Sequence, residues 1–419
     1  MFKRKWSGLP ADPHFPSDLK ELGYFVNEDD EVRSIAEPDR YFKFFLNRNP
    51  RWNERQRFAM NQALQSLILA RLSALGLQPT YLPLGVIPSP STPHLRIYTS
   101  RDLSTAPRVA LLFGETTQDL GVLAHRVIGG KGGIDAGSWV AFVRDLLSAP
   151  TPNPGIILAS PGSLLWSPSQ GRTLSRTALA DSPMASAAHA GNRVPAPADN
   201  VPGNRTPGEH VRYVFEAVVP RLAAPGAVLD VVGVGDGADL ACAYLDQPGV
   251  WERWGPRMGC LASVGGMRDV KDVRVDGFRE FLRARARAYV PSPEPAGMTL
   301  SGPDGNPRTA TFTSYGCPVF SSGEAHHVEC GLVAGRRVVV EWLREVAAAG
   351  PHYRNPEVVV LYSDPVRAGD AAEPDWSPWV EEFQERKKQR EEEEEERKKK
   401  GDDKFVVRVD TLSDSEDED

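Results

Sequence analysis

The chain has 419 residues, 41% of them apolar and 25% charged, enough to bury one large core in a single domain with tails. Its formal charge of −7 is uneven, because Val380 to Asp419 hold 17 acidic and 10 basic residues and leave 39 of each in the rest of the chain. That neutral body excludes a large basic field for nucleic acid. No apolar run reaches the roughly 18 residues a membrane helix needs, and the opening MFKRKWSGLPADP lacks the apolar stretch of a secretory leader.

Residues 1–50 mix Pro, Asp and Arg with Phe15, Tyr24, Phe25, Tyr41, Phe42, Phe44 and Phe45 in no sustained period, which predicts an irregular arm packed on the core. From Arg51 the pattern changes: Phe58, Leu64, Leu67, Ile68, Leu72 and Leu75 recur at three- and four-residue steps before Gly76, predicting a long amphipathic helix. Short strands are expected at Thr80 to Leu84 and His94 to Ser100, then a buried strand at Arg108 to Phe113 that ends on Gly114. A helix around Ala136 to Leu147, with Trp139, Phe142, Val143, Leu146 and Leu147 on one face, leads to a strand at Gly155 to Ala159.

Residues 167–208 are rich in Ser, Pro, Ala, Gly and Asn and read as a flexible insertion. Order returns with a helix from Glu209 to about Leu222, a strand at Val228 to Val234 and a helix at Ala238 to Leu245. A strand at Met258 to Val264, a helix from Asp276 to about Ala288, a strand near Thr309 to Phe320 and a helix from Arg336 to Ala348 follow. Strands alternating with helices define an α/β class, a mainly parallel sheet with helices on both faces, and place the main domain at residues 51–365.

Residues 366–419 form a charged linker or helix, supported by pairs such as Glu394 with Lys398, and a disordered acidic tail. Ser413 and Ser415 each have an acidic residue three positions on, the spacing acidophilic kinases accept, and are candidate phosphorylation sites. Cys242, Cys260, Cys317 and Cys330 are widely spaced, without metal-ligand spacing, and read as buried reduced thiols; no metal or cofactor is expected.

The chemistry concentrates after the strand at Val228 to Val234. An α/β-hydrolase carries its nucleophile in the middle of G-x-S-x-G on a tight strand-to-helix turn. Here the turn reads Gly233-Val234-Gly235-Asp236-Gly237, so Gly235 stands where the serine would be and the elbow is degenerate. A dinucleotide loop fits worse, since the spacing is not G-x-G-x-x-G and Asp236 opposes a phosphate; a plain tight turn of another α/β fold is the stronger competitor. His327, in FSSGEAHHVECGL, lies in the chain order of the triad histidine, and extended structure lets only one of His326 and His327 face the elbow. Asp269 is near the place of a triad acid. Ser263, in LASVGG, is an alternative nucleophile that a serine esterase or acyl hydrolase would pair with His327, using N–H groups near Gly114 as oxyanion donors.

These features resemble a family, the fungal Argonaute-binding-protein-two (Arb-two) domain, also found at the C-terminus of some fungal class II histone deacetylases. The opening FKRKWSGLPADPHFPSDLKELGYFVNEDDEVRSI, then YFKFFLNRNPRWNERQRFAMNQAL, is similar to its N-terminal signature, and Gly114 to Val140 looks like its oxyanion-loop region. Related animal regulators carry a serine elbow of the A-H-S-Y-G-G kind whose serine falls on Gly235, and the family histidine falls on His327. The resemblance implies an α/β-hydrolase-like pseudo-hydrolase, with Gly233, Gly235, Asp236 and Gly237 as a degenerate elbow and His327 vestigial. It further implies a nuclear, secondarily cytoplasmic, adaptor in small-RNA-directed heterochromatin formation. Its expected partners are an Argonaute protein, a second Argonaute-binding subunit and histone deacetylase or chromatin factors, with RNA reached indirectly and no membrane.

Overall fold

The computed structural model describes residues 8–148, 153–180, 182–188, 195–305 and 314–358, with Lys388 and Glu392 as isolated positions beyond. Contacts divide the chain into Met1–Val360 and Leu361–Asp419. The expected Glu394 with Lys398 pair, Ser413, Ser415 and the acidic tail lie outside the described residues.

Nine strands make the main sheet: β1 (Leu77–Leu82), β2 (Leu95–Ser100), β3 (Arg108–Phe113), β4 (Gly155–Ala159), β5 (Val228–Val234), β6 (Met258–Val264), β7 (Ala286–Val290), β8 (Thr299–Ser301) and β9 (Val319–Ser321). Their order across the sheet is β8-β9-β7-β6-β5-β3-β4-β2-β1. Pairing is parallel from β4 through β3, β5, β6 and β7 to β9, and antiparallel where β2 meets β1 and β4 and where β8 covers β9. The central strands are nearly continuous apolar runs because both faces are covered, and the buried exception, Asp230 of β5, is paired with Arg108 of β3 at 2.6 Å. Alternation sends Ala110, Leu112, Val232, Val234, Ala262 and Val264 to one core layer, and Val109, Leu111, Phe113, Val231 and Leu261 to the other.

The first layer packs under α1 (Pro50–Ala74), α2 (Trp139–Leu147) and α5 (Gly331–Ala349). The second packs under α3 (Asp236–Leu245), α4 (Asp276–Arg285) and the stretch from Pro207–Tyr213 through a π turn at Val214–Val218 to Val219–Leu222. Helix starts follow local chemistry: the Asn49 side chain accepts the Arg51 N–H ahead of α1 with Pro50 at its first position, and Ser138 accepts the Val140 N–H ahead of α2.

Two expectations are corrected. The helix read to Ala288 stops at Arg285, and Ala286 to Val290 form β7, pairing Ala286 with Leu261 and Ala288 with Ser263. Alanine favours helix, but Ala286 and Ala288 are buried in alternation with Arg287, and the open side of β6 wins over local propensity. The segment 167–208 is not uniformly flexible either. Its described part completes a hairpin, Leu165–Ser167 with Arg172–Leu174, and a helix, Arg176–Ala180, because Leu174, Ala178 and Leu179 bury themselves against Phe58 and Leu165. The strand expected near Thr309 to Phe320 is β9 at Val319–Ser321, with 306–313 outside the described residues.

The arm packs on the core. Tyr24 and Val32, from its hairpin Tyr24–Val26 with Val32–Ser34, join the first core layer. Buried Arg51 reaches Asp12 through Nε at 2.7 Å and through a terminal nitrogen at 2.8 Å, and donates to the Ser182 carbonyl at 2.9 Å. Asp12 also accepts the Met184 N–H at 2.9 Å, so one ion pair ties arm, α1 and insertion together. Removing one partner of a buried pair leaves the other desolvated and uncompensated. Asp12→Ala is expected to cost about 3 kcal/mol of unfolding free energy in urea titrations; a loss within about 0.5 kcal/mol, the scale of an ordinary surface substitution, would show that the pair does not fasten the arm.

Candidate functional site

The site is built at the C-terminal ends of β3 and β5. These strands pair in parallel with Phe113 opposite Gly233, so the residues two positions beyond, Glu115 and Gly235, leave the sheet side by side. Gly235 takes φ 54° and ψ −130°, its N–H donates to the Val264 carbonyl at 2.8 Å, and α3 begins at the next residue. An L side chain is strained at such a φ, so glycine holds the turn at least cost. The flanking glycines are required by space. A Cβ on Gly233 would stand 2.3 Å from Ala238 Cα, and one on Gly237 would stand 2.3 Å from the Gly114 carbonyl oxygen.

A side chain on residue 235 would meet an occupant. Its Cβ would fall 2.3 Å from Glu115 Oε1 and 2.8 Å from Glu115 Cγ, so the Glu115 carboxyl fills the space over the elbow. Asp236 turns to the same loop and accepts from the Thr116 N–H at 2.8 Å and from the Thr116 hydroxyl. The Gly114 N–H donates to the Ala159 carbonyl at 3.3 Å. Two backbone donors of the oxyanion-loop region are thereby engaged within the protein. Burial, with the charges of Asp236 and then Glu329 adding to it, pushes the Glu115 carboxyl up to about 7, while hydrogen bonds from Gln118 and Thr117 oppose the shift.

His327 stands before the turn Val328–Cys330 that leads into α5. This turn abuts the end of β6, since a Cβ on Gly265 would fall 2.4 Å from Val328 Cγ1. The His327 ring hydrogen bonds through Nδ1 to Glu324 Oε1 at 3.3 Å, and the same carboxylate oxygen accepts the N–H groups of His326 at 2.9 Å and His327 at 3.1 Å. Those N–H groups hold the Glu324 carboxyl below its ordinary range. The rings of His326 and His327 stand 89° apart.

Asp269 caps the turn Val270–Asp272 by accepting the Lys271 N–H at 2.9 Å. Ser263 lines a water-sized cavity of about 20 Å³ with Asp239, Cys242, Tyr315 and Cys317, on the side of the sheet that α3 and α4 cover. The hydrogen bond of the His327 ring goes to Glu324, not to Ser263. The structure thus brings Gly235, Asp236, Glu115 and Thr116 together, and sets His327 with Glu324. Glu115 and Glu324 both lie inside stretches the sequence marks, Gly114 to Val140 and FSSGEAHHVECGL, but their roles escape a sequence reading because no motif assigns them one. Adjacency to Gly114 in one case, and a three-residue step before His327 in the other, are the signals that could have found them.

All four cysteines are free and buried. Among the described residues no group of three His, Cys, Asp or Glu side chains is placed to hold a metal, and no helix is long and apolar enough to cross a membrane.

The strand order, with antiparallel β2 between β1 and β4, the tight turn after β5 and a histidine after β9, defines an α/β-hydrolase fold with glycine at the elbow. The chain belongs to the Arb2 domain family, whose model matches residues 15–296. No curated protein matches it. Among solved structures it is similar to a thermostable esterase from Pseudomonas putida, at 11% identity and TM-score 0.30 over 68% of this chain and 88% of that one. It is also similar to the peroxisomal α/β-hydrolase Lpx1 of Saccharomyces cerevisiae, at 11% identity and TM-score 0.34 over 75% and 98% of the two chains. The fold assignment rests on the strand order and the elbow, not on these distant likenesses.

The carboxyl of Glu115 gives the site a testable pH signature. Its folded value of about 7 lies above the 4.5 of an ordinary glutamate, so the native state holds the proton more tightly than the unfolded chain. Between those values stability falls as pH rises, because unfolding then lets the group ionise in water. Glu115→Gln cannot ionise, and is expected to gain stability on the wild type from pH 5 to pH 8, by about 1 kcal/mol after allowance for solvent screening. Melting curves across that range check it. A difference that stays flat, or reverses, would mean that the carboxyl is not strained by its burial among carboxylates.

Proposed function

We propose that this chain is a non-catalytic adaptor on an α/β-hydrolase scaffold, an Argonaute-binding subunit of an Argonaute chaperone complex in small-RNA-directed heterochromatin formation and gene silencing. The observation that carries the non-catalytic part is the Glu115 carboxyl in the space above Gly235, where a nucleophile's side chain would stand. The engagement of the Thr116 N–H by Asp236 supports it, because an oxyanion site already occupied by a fixed carboxylate repels the developing negative charge of acyl transfer. Membership of the Arb2 domain family supports the partner.

The partners of this reading are an Argonaute protein and a second Argonaute-binding subunit, with a histone deacetylase or other chromatin factors beyond them. RNA is reached through protein, which agrees with the neutral charge of the chain before its tail. The place of action is the nucleus, and secondarily the cytoplasm.

Two experiments test the parts separately. Purified protein is expected to stay unlabelled by a fluorophosphonate probe and to show no ester turnover; stoichiometric labelling would end the non-catalytic reading, and turnover lost in Ser263→Ala would replace it with the esterase that uses Ser263 and His327. Affinity purification from the native host is expected to recover an Argonaute protein both before and after nuclease treatment. Recovery that disappears with nuclease would make RNA the bridge, and recovery of no Argonaute would remove the adaptor role.

A further inference from the structure

We propose that the first turns of α1 and the arm segment before it form a docking surface for an acidic segment of a partner protein, one large apolar side chain of which enters the cavity beside Phe15. Among the described residues eight large apolar side chains are exposed, and Phe45 at 73%, Leu46 at 46% and Trp52 at 37% fall within one short stretch of chain. Single exposed apolar residues are ordinary, whereas a cluster marks an interaction surface. The cluster is also held in place. Asn53, buried at the start of α1, accepts the N–H groups of Leu46 at 2.8 Å and Asn47 at 2.9 Å, and its amide donates to the Asn47 carbonyl at 2.9 Å. Asn49 caps α1 and donates to the Ala187 carbonyl at 3.2 Å. A loop fixed in this way presents its apolar side chains with little ordering left to lose on binding.

Trp52 leads to the cavity. Its ring meets the Phe15 ring at 5.9 Å and 85°, and Phe15 with Phe58, Ala59, Ala178 and Pro183 lines a space of about 180 Å³. A dry cavity of roughly 150 Å³ takes a benzene ring, so this one takes a phenylalanine or leucine side chain rather than a whole metabolite. Arg55 and Arg172 stand in the same wall, and both are engaged within the protein: Arg55 Nε donates to the Pro13 carbonyl at 2.9 Å, Arg172 donates to Gln170, Gln65 and Gln62, and each has further partners. Neither guanidinium waits for an anion, and the aromatic and aliphatic part of the lining suits an apolar occupant.

The charge around the cluster is one-sided. From Arg40 to Asn53 the chain has no Asp or Glu. Arg40 and Arg51 are matched by Glu37 and Asp12, but Lys43 and Arg48 are exposed, and among the described residues their side chains have neither a hydrogen bond nor an ion pair. Two open cations beside apolar side chains complement a segment that carries carboxylates between its apolar anchors. Two are too few for the phosphate contacts of a nucleic acid, or for holding the chain on an anionic membrane, where each cation supplies only about 1 kcal/mol. None of these residues belongs to the elbow, so the surface stands whether or not the chain is catalytic and whichever protein carries the segment.

Selection of a random peptide library on the full chain, followed by fluorescence anisotropy of the selected peptides, tests it. Enriched sequences are expected to combine acidic residues with Leu, Phe or Trp. Phe45→Ser, at a side chain mostly in water, is expected to weaken their binding about tenfold or more, and Lys43→Glu with Arg48→Glu by a similar factor, with unchanged melting temperatures. Ala59→Leu, which fills the cavity and leaves the exposed cluster intact, is expected to weaken it as well. No enrichment, enriched sequences without acidic residues, or affinity undiminished in Phe45→Ser or in the charge reversal overturns the surface. Affinity undiminished in Ala59→Leu overturns the cavity as the anchor. Oligouridylate or phosphatidylserine vesicles bound more tightly than the selected peptides, and released by the same substitutions, assign the surface to RNA or to lipid and overturn a protein partner.

Discussion

At Gly233 and Gly237 the backbone of the turn lies so close to α3 and to the end of β3 that no side chain fits, and at Gly235 the chain takes a conformation that glycine adopts most cheaply. This close approach seats α3 against β5 and sets the ends of β3 and β5 side by side. Everything at the candidate site follows from it. The parallel register of the two strands delivers Glu115 over Gly235, and the start of α3 delivers the Asp236 carboxylate to the Thr116 N–H.

Where a hydrolase keeps its turn open beneath a substrate, this chain fills it with its own carboxyl groups. Partial burial, and after it the repulsion of neighbouring carboxylates, is the physical cause of the raised proton affinity of Glu115. Such an arrangement is unfavourable by itself, and it persists because the turn, the sheet and the helix that impose it are buried and closely packed. His327 fits the same picture, with its ring turned to Glu324 three residues away.

The antiparallel edge of the sheet is held by a second set of contacts. The hairpin that interrupts residues 167–208 supplies Arg172, the arm is fastened through Asp12 and Arg51, and α1 connects the two regions. A segment whose composition suggested a spacer is thus part of a wall, anchored by a few apolar residues, Leu174, Ala178 and Leu179.

The sequence by itself determined the strands β3, β4, β5 and β6 to the residue, since each is a mostly apolar run covered on both faces. It also determined the α/β alternation, the glycine turn, the absence of a hydroxyl at 235 and the late histidine, because all are local patterns. It did not reveal β7, where alternating Arg and Ala satisfy helix propensity equally well, nor β8, which has three residues and gains its place only by pairing with β9. Tertiary structure alone decided that Glu115 covers Gly235, that Asp236 reaches Thr116 across 120 positions of chain, and that Arg172 of the hairpin meets Gln62 and Gln65 of α1. Those contacts join segments distant in sequence, and which side chains meet there is set by strand register and helix seating, quantities that no local run of residues encodes.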